Sequence, residues 1–181
     1  TDTKTLTLAR DRFGEKPLYY GIVGERFVFG SELSAIRAPF GSELIIDRNA
    51  LRQYMRFSYV PSPMSIYQGI HKLEAGNYLT VSYCKKSKKF RTTNRSYWDT
   101  SSLREKVRKS NKITSFQDEV LKVDELLNVS VEKMLVSDVP IGAFLSGGID
   151  SSMIVALMQK QSSKKIQTFT IGFNEAEYNE A

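Results

Sequence analysis

The chain has 181 residues, enough for one ordinary domain or parts of two. Apolar residues make up 41% and charged residues 25%, which excludes a disordered or collagen-like chain, and no apolar run reaches the ~18–20 residues of a membrane span. The formal net charge is +6, with a pI near 9.3, which raises nucleic acid as a partner until the charge is located.

Residues 1 to about 98 read as β-rich with short helical interruptions. Leu6 and Leu8 alternate with threonines in TLTLAR, and LYYGI and RFVFGS are two further short strands of aromatic and β-branched type. Val23-Gly24-Glu25 between them is a hairpin signal. Asp11 to Pro17 (DRFGEKP) is a polar connection, with a glycine for positive φ and a proline for turn entry. Arg12 and Lys16 read as the charged surface of that turn. Glu32 sits at a helix start, where a carboxylate complements the dipole. Asp47 is placed to cap a short helix through about Arg56. Pro61 and Pro63 make Tyr59 to Ser65 a loop. Asn77 to Tyr83 and a stretch near Phe90 to Trp98 form another antiparallel pair, with Tyr97-Trp98 as a strand end tucked into a core. The one histidine, His71, rules out a multi-histidine metal site and reads as a surface residue.

The basic charge is local. Lys85 to Lys112 holds eleven basic and two acidic residues, a net +9, while the rest of the chain has fifteen basic and eighteen acidic residues, a net −3. This pattern reads as a solvated hairpin end followed by a basic linker over residues 99–113. A nucleic-acid surface would interleave aromatics with the charge, and only Phe90, Tyr97 and Trp98 are at hand.

Beyond the linker the period changes. Thr114 with Gln117 offers a capping box, and Phe116, Val120, Val123, Leu127, Val131, Met134 and Leu135 recur at helical spacing, predicting a long amphipathic helix that ends near Ser137. Pro140 then opens the apolar strand IGAFL, followed by the loop SGGIDS, a helix from about Ser152 to Gln161 and the strand IQTFTIGF. Helix–strand–loop–helix–strand is the start of a parallel, doubly wound α/β domain. Two parallel strands cannot cover both faces of such a sheet, so the domain is expected to continue past this chain.

Ser146-Gly147-Gly148-Ile149-Asp150-Ser151 is the motif with chemistry in it. Two glycines let backbone N–H groups approach an anion, and a helix N-terminus adds partial positive charge at the same spot. The serine hydroxyls can donate to phosphate oxygens, and Asp150 can hold a magnesium ion. The Gly-Lys-Ser/Thr ending of a Walker A loop is absent. Five fixed positions recur by chance with odds on the order of 10⁻⁴ in a chain this long, against the alternative of an ordinary strand-to-helix turn.

This segment resembles the pyrophosphate-binding loop of the N-type ATP pyrophosphatases. The longer string Ser137 to Ser152 (SDVPIGAFLSGGIDSS) resembles their asparagine synthetase branch. Asp11 to Tyr20 (DRFGEKPLYY), Phe27 to Ile36 (FVFGSELSAI), Tyr59 to Leu79 and Ser96-Tyr97-Trp98-Asp99 resemble, in order, the distal part of that family's N-terminal glutaminase domain. The resemblance implies a glutamine-hydrolysing asparagine synthetase, with ATP and Mg²⁺ activating aspartate as a β-aspartyl-adenylate that ammonia from glutamine attacks. It implies nucleotide-binding roles for Leu145, Ser146, Gly147, Gly148, Asp150, Ser151 and Ile171, with Asp150 as metal ligand.

The implied fold is α+β followed by α/β. Residues 1–98 would be the antiparallel, distal part of an Ntn-hydrolase glutaminase domain, and residues 114–181 the start of a PP-loop synthetase domain. The family's nucleophile is an N-terminal cysteine, which the resemblance places upstream of this chain. Thr1 precedes a strand set deep in that domain, and Cys84 in VSYCKK matches no catalytic position. The chain on its own is therefore expected to be inactive. The expected partners are small-molecule substrates, not nucleic acid or membrane, and a homodimer is the assembly left open. A single cysteine and no signal-peptide pattern point to the cytoplasm. Two other readings stay open: a related amidotransferase-like ligase with another acceptor, such as a sugar, a β-lactam precursor or a peptide, and a non-catalytic module that binds nucleic acid through the basic stretch.

Overall fold

Alternation of Leu6 and Leu8 with threonine produces strand β1 (Thr5–Ala9), which pairs antiparallel with β5 (Asn77–Cys84) so that Leu8 lies opposite Leu79 and Leu6 opposite Val81. The computed structural model describes residues 4–110 and 115–173, in two compact units divided after residue 110.

In the first unit, β5 continues into β6 (Lys89–Ser96) through a four-residue turn, giving a sheet in the order β1-β5-β6. A second antiparallel sheet has the order β3-β2-β4, from β2 (Tyr19–Val23), β3 (Arg26–Gly30) and β4 (Ile70–Lys72). Its hairpin turns at Gly24 with φ +57°, a left-handed conformation that glycine adopts freely. Side chains alternate across the second sheet. Tyr20 and Phe27 pack on the buried cluster Leu8, Leu73, Leu79 and Val81 of the first sheet. Val23 and Val28 point the other way, onto Ile36 and Ile70. Helix α1 (Leu33–Phe40) supplies Ile36 on that outer face, and α2 (Arg48–Phe57) follows it in the chain. The layers are therefore sheet, sheet, helix.

The caps follow local chemistry. Asp47 accepts from the amides of Asn49 (2.8 Å) and Ala50 (3.2 Å), so the expected cap is present. Glu32 precedes α1 without a capping bond and instead accepts from Ser34 Oγ at 2.8 Å. The DRFGEKP connection is held from two sides. Asp11 accepts from the amides of Phe13, Glu15 and Lys16, and those bonds, Glu15 first, hold its carboxyl below the usual value. Arg10 donates to the carbonyls of Lys16 (2.9 Å), Leu73 (2.7 Å) and Gly14 (2.8 Å). Arg10 thus ties the loop to the residue that follows β4.

Two expectations need correction here. Residues read as a basic linker carry helix α3 (Thr100–Ser110), because Asp99 caps it by accepting from the amides of Ser101 and Ser102 at 3.0 and 2.9 Å. Tyr97 and Trp98 do not enter a buried core. Tyr97 is 50% exposed, with its hydroxyl on the carbonyl of Arg10, and half-buried Trp98 meets Phe13 edge-on at 5.1 Å. Phe90 does go inward, 5.9 Å from Phe27 and 5.1 Å from Tyr83, leaving the lysines of the hairpin tip without an aromatic platform of its own strand. His71 is exposed as expected. Thr1 lies outside the described residues.

In the second unit, α4 (Phe116–Met134) begins at Ser115, whose Oγ accepts from the Asp118 amide at 3.1 Å. Thr114, the expected cap, lies outside the described residues. Leu127, Val131 and Leu135 pack on Leu157 and Met158 of α5 (Ile149–Gln161). Earlier members of the expected stripe stay open: Phe116 is 81% exposed. Strands β7 (Gly142–Phe144) and β8 (Gln167–Phe169) pair in parallel, with α5 as the connection between them.

Helix α5 also starts three residues before the expected Ser152, since Gly148 is extended (φ −72°, ψ 158°) and acts as N-cap.

Leu79 is 1% exposed between the two sheets, whereas Asp47 is a half-buried helix cap. Leu79→Ala should therefore cost about 2–5 kcal/mol and Asp47→Ala about 1 kcal/mol, read from the first unit's transition in urea by circular dichroism. Equal costs would contradict this assignment of the core.

Candidate functional site

Parallel pairing of two short strands places their carboxyl ends side by side, the position where open α/β sheets hold ligands. Gly142 pairs with Gln167, Ala143 with Thr168 and Phe144 with Phe169. Just beyond, the Leu145 amide donates to the Phe169 carbonyl at 2.9 Å, and Thr170 Oγ1 donates to the Leu145 carbonyl at 2.6 Å. Leu145 is thus pinned on both backbone groups, with one carbonyl lone pair remaining.

A cavity of about 550 Å³ opens at this end of the strands. Leu145, Ser146 and Ile171 line it, joined by Phe144, Phe169, Thr170 and Phe173. The four added residues were not singled out from the sequence. Their signal is the phenylalanine at the end of each short strand and the FTIGF run that begins with Phe169, which become a wall only once the parallel register is known.

From Ser146 the chain turns away. Gly147 has φ +81°, in the region that favours glycine. Gly148 has an ordinary φ, and a Cβ there would stand 3.6 Å from Ser146 Oγ and 4.0 Å from Ser151 Oγ. The two serine hydroxyls are 3.1 Å apart, and Ser151 Oγ also donates to the Gly148 carbonyl at 3.1 Å. The first intrahelical bond of α5 runs from the Ser152 amide to the Gly148 carbonyl at 3.1 Å, and Gly148 offers no side-chain cap. The amides of Ile149, Asp150 and Ser151 therefore have no carbonyl one turn back in the helix. Asp150 lies in the first helical turn, not in a loop, and its side chain is exposed.

The structure brings Leu145, Ser146 and Ile171 around one opening, with Ser151 against Ser146 and with Gly147, Gly148 and Asp150 in the turn between the two serines. The donors are backbone amides and hydroxyls, and Asp150 is the one carboxylate of the turn. Among the described residues no group of three or more His, Cys, Asp or Glu is gathered as a metal site. Cys84 is exposed at the end of β5, its thiol drawn below the usual value chiefly by a hydrogen bond with Ser87. No helix among the described residues is long and apolar enough to cross a membrane.

Residues 1–98 match the glutamine amidotransferase domain family, and residues 122–181 match the asparagine synthase family. A putative glutamine-hydrolysing asparagine synthetase 2 of Methanocaldococcus jannaschii is 36% identical over 95% of this chain and 32% of its own length. The glutamine-hydrolysing asparagine synthetase 1 of Bacillus subtilis is 33% identical over 95% of this chain and 25% of its own. Asparagine synthetase 3 of the same bacterium is 34% identical over 94% of this chain and 26% of its own. The chain spans about a quarter to a third of the length of these curated relatives.

The glycines of this unit separate packing from ligand geometry. A Cβ on Gly142 would fall 2.4 Å from the Phe169 ring, while one on Gly148 meets nothing closer than 3.6 Å. Gly142→Ala should lower the second unit's stability by about 1–3 kcal/mol. Gly148→Ala should stay within about 0.5 kcal/mol of the parent. Thermal unfolding followed by circular dichroism compares the two, and the reverse order would contradict the packing described.

Proposed function

We propose, from the premise that this chain belongs to the glutamine-hydrolysing asparagine synthetase family, that it forms part of an enzyme converting aspartate, glutamine and ATP to asparagine, glutamate, AMP and pyrophosphate. The observation that carries the reading is the Ser146–Ser151 turn between a parallel strand and a helix N-terminus, beside an apolar cavity. On this reading residues 1–98 are the distal part of an Ntn-hydrolase glutaminase domain. Residues 99–113 connect it to the start of a doubly wound synthetase domain at 114–181. Its partners are small molecules and its compartment is the cytoplasm.

Ser146, Gly147, Gly148, Asp150 and Ser151 are assigned to the pyrophosphate portion of ATP. The donor set suits a polyanion: first-turn amides, two hydroxyls 3.1 Å apart, and a glycine whose missing Cβ leaves space beside both. Leu145 and Ile171 are assigned to the adenosine side. Since the Leu145 amide is used by the Phe169 carbonyl, Leu145 acts through its remaining carbonyl lone pair and its side chain.

Asp150 is a hard oxygen donor on the exposed first turn, and Mg²⁺ is commonly held by one carboxylate with waters and substrate phosphates, so the residue fits the ion. Magnesium, when bound, spreads negative charge on the departing pyrophosphate. The turn amides do the same from fixed positions, where preorganised donors are most effective, and the serine hydroxyls join them by rotating away from each other and from the Gly148 carbonyl. Cys84 is not assigned to glutamine hydrolysis.

In the complete protein, Asp150→Ala should lower AMP and pyrophosphate formation by about 10² or more while glutamine hydrolysis persists. Production of AMP and pyrophosphate at the parent rate, measured with ATP, aspartate and glutamine, would overturn the assignment of Asp150. Transfer of the glutamine amide nitrogen to an acceptor other than aspartate would overturn the acceptor.

A further inference from the structure

The first unit has a cavity that the ATP reading does not use. It measures about 380 Å³, in the range of small-molecule sites, and is lined by Leu33, Leu51, Tyr54, Tyr59, Ile66 and Lys72 among others. The walls come from the start of α1, from α2, from the loop after α2 and from the end of β4. They are almost wholly apolar or aromatic, with one ammonium group set among them.

Lys72 is half-buried, and its Nζ donates to the Val60 carbonyl. An ammonium carries three N–H donors, so two remain after that bond. Among the described residues no carboxylate lies within ion-pairing distance of it. Burial, with the neighbouring charge of Arg10 second, holds its pKa below the usual lysine value. Arg10 cannot leave to relieve this, since its guanidinium is bound to three carbonyls. The loop wall is also fixed: Ser65, 2% exposed, accepts from the Tyr67 amide and donates to the Tyr67 carbonyl, both at 3.1 Å. A lysine with two donors left over and no counter-ion, at the edge of an apolar cavity, can form a charge-assisted bond with an anion that enters it.

We infer that this cavity is a binding site for a small organic carboxylate with an apolar body, its carboxylate on Lys72 Nζ and its body between Leu51 and Ile66. A monovalent carboxylate suits the site better than a phosphate ester, because one lysine faces the cavity and the remaining lining has no second cation. Every residue lining it belongs to the first unit, whereas those assigned to the nucleotide belong to the second.

The test is a titration of the 181-residue chain with 3-phenylpropionate, followed by ¹H–¹⁵N correlation spectra, with 3-phenylpropionamide and acetate as controls. The acid should give saturable shifts centred on the amides of Val60, Ser65, Ile66 and Lys72. The amide, which has the body without the charge, and acetate, which has the charge without the body, should each bind at least about tenfold more weakly. Lys72→Met should lose at least about tenfold in affinity for the acid, and Lys72→Arg should recover part of it. Leu51→Trp, which keeps the lysine and fills the cavity, should abolish binding with a spectrum otherwise like the parent. Absence of saturable shifts with the acid, equal binding of acid and amide, or undiminished binding to Leu51→Trp would each overturn the inference. If Lys72→Met does not fold, the amide control and Leu51→Trp decide the matter.

Discussion

The short parallel pairing of β7 with β8 is the constraint on which the proposed chemistry depends. It aligns the carboxyl ends of two strands, sets Phe169 over Gly142 and lets Thr170 close onto the Leu145 carbonyl. With Leu145 pinned, Ser146 leaves the sheet at a fixed point, and the positive φ of Gly147 turns the chain into α5. Without that register the serines, the glycines and Asp150 would be polar residues on an untethered turn. With it, they form a donor-rich corner beside an apolar wall, an arrangement suited to a ligand with a flat apolar end and a polyanionic end.

The first unit is organised by a different device. Tyr20 and Phe27 serve one buried cluster while Val23 and Val28 serve another, so one sheet is shared by two cores. Arg10 joins the polar DRFGEKP turn to the residue after β4 through three carbonyls, and Asp11 holds the turn from within. This makes a charged connection into a rigid one. Beside that network Lys72 donates to the Val60 carbonyl and, among the described residues, pairs with no carboxylate, which gives the adjoining cavity a chemistry of its own. The basic excess of the chain sits elsewhere, at the exposed β5–β6 turn and along α3, and its hairpin aromatic faces the core.

Much of this was legible in the residues because it is local. The alternation in TLTLAR, the Gly24 turn and the Asp47 cap depend on neighbours within a few positions, and each is present. The SGGIDS corner was legible as a motif, but its split between loop and helix was not. Glycine content suggested a loop through Ser151, whereas an extended Gly148 caps the helix and puts Asp150 in the first turn. Helix α3 was hidden because a run of like charges reads as a linker, and its cap, Asp99, lies just before the run. Contacts between distant residues left no local trace. Arg10 reaches Leu73 across 63 positions, and the phenylalanine wall exists only through the β7–β8 register.

The central claim is that residues 146–151 hold the phosphate portion of a nucleotide. Hydrogen exchange of the 181-residue chain, read amide by amide with and without Mg²⁺-ATP, tests it most directly. Marked slowing at Ser146–Ser151, with the first unit unchanged, is the predicted result. Nucleotide-dependent protection that falls elsewhere and leaves these six amides exchanging as before would contradict it.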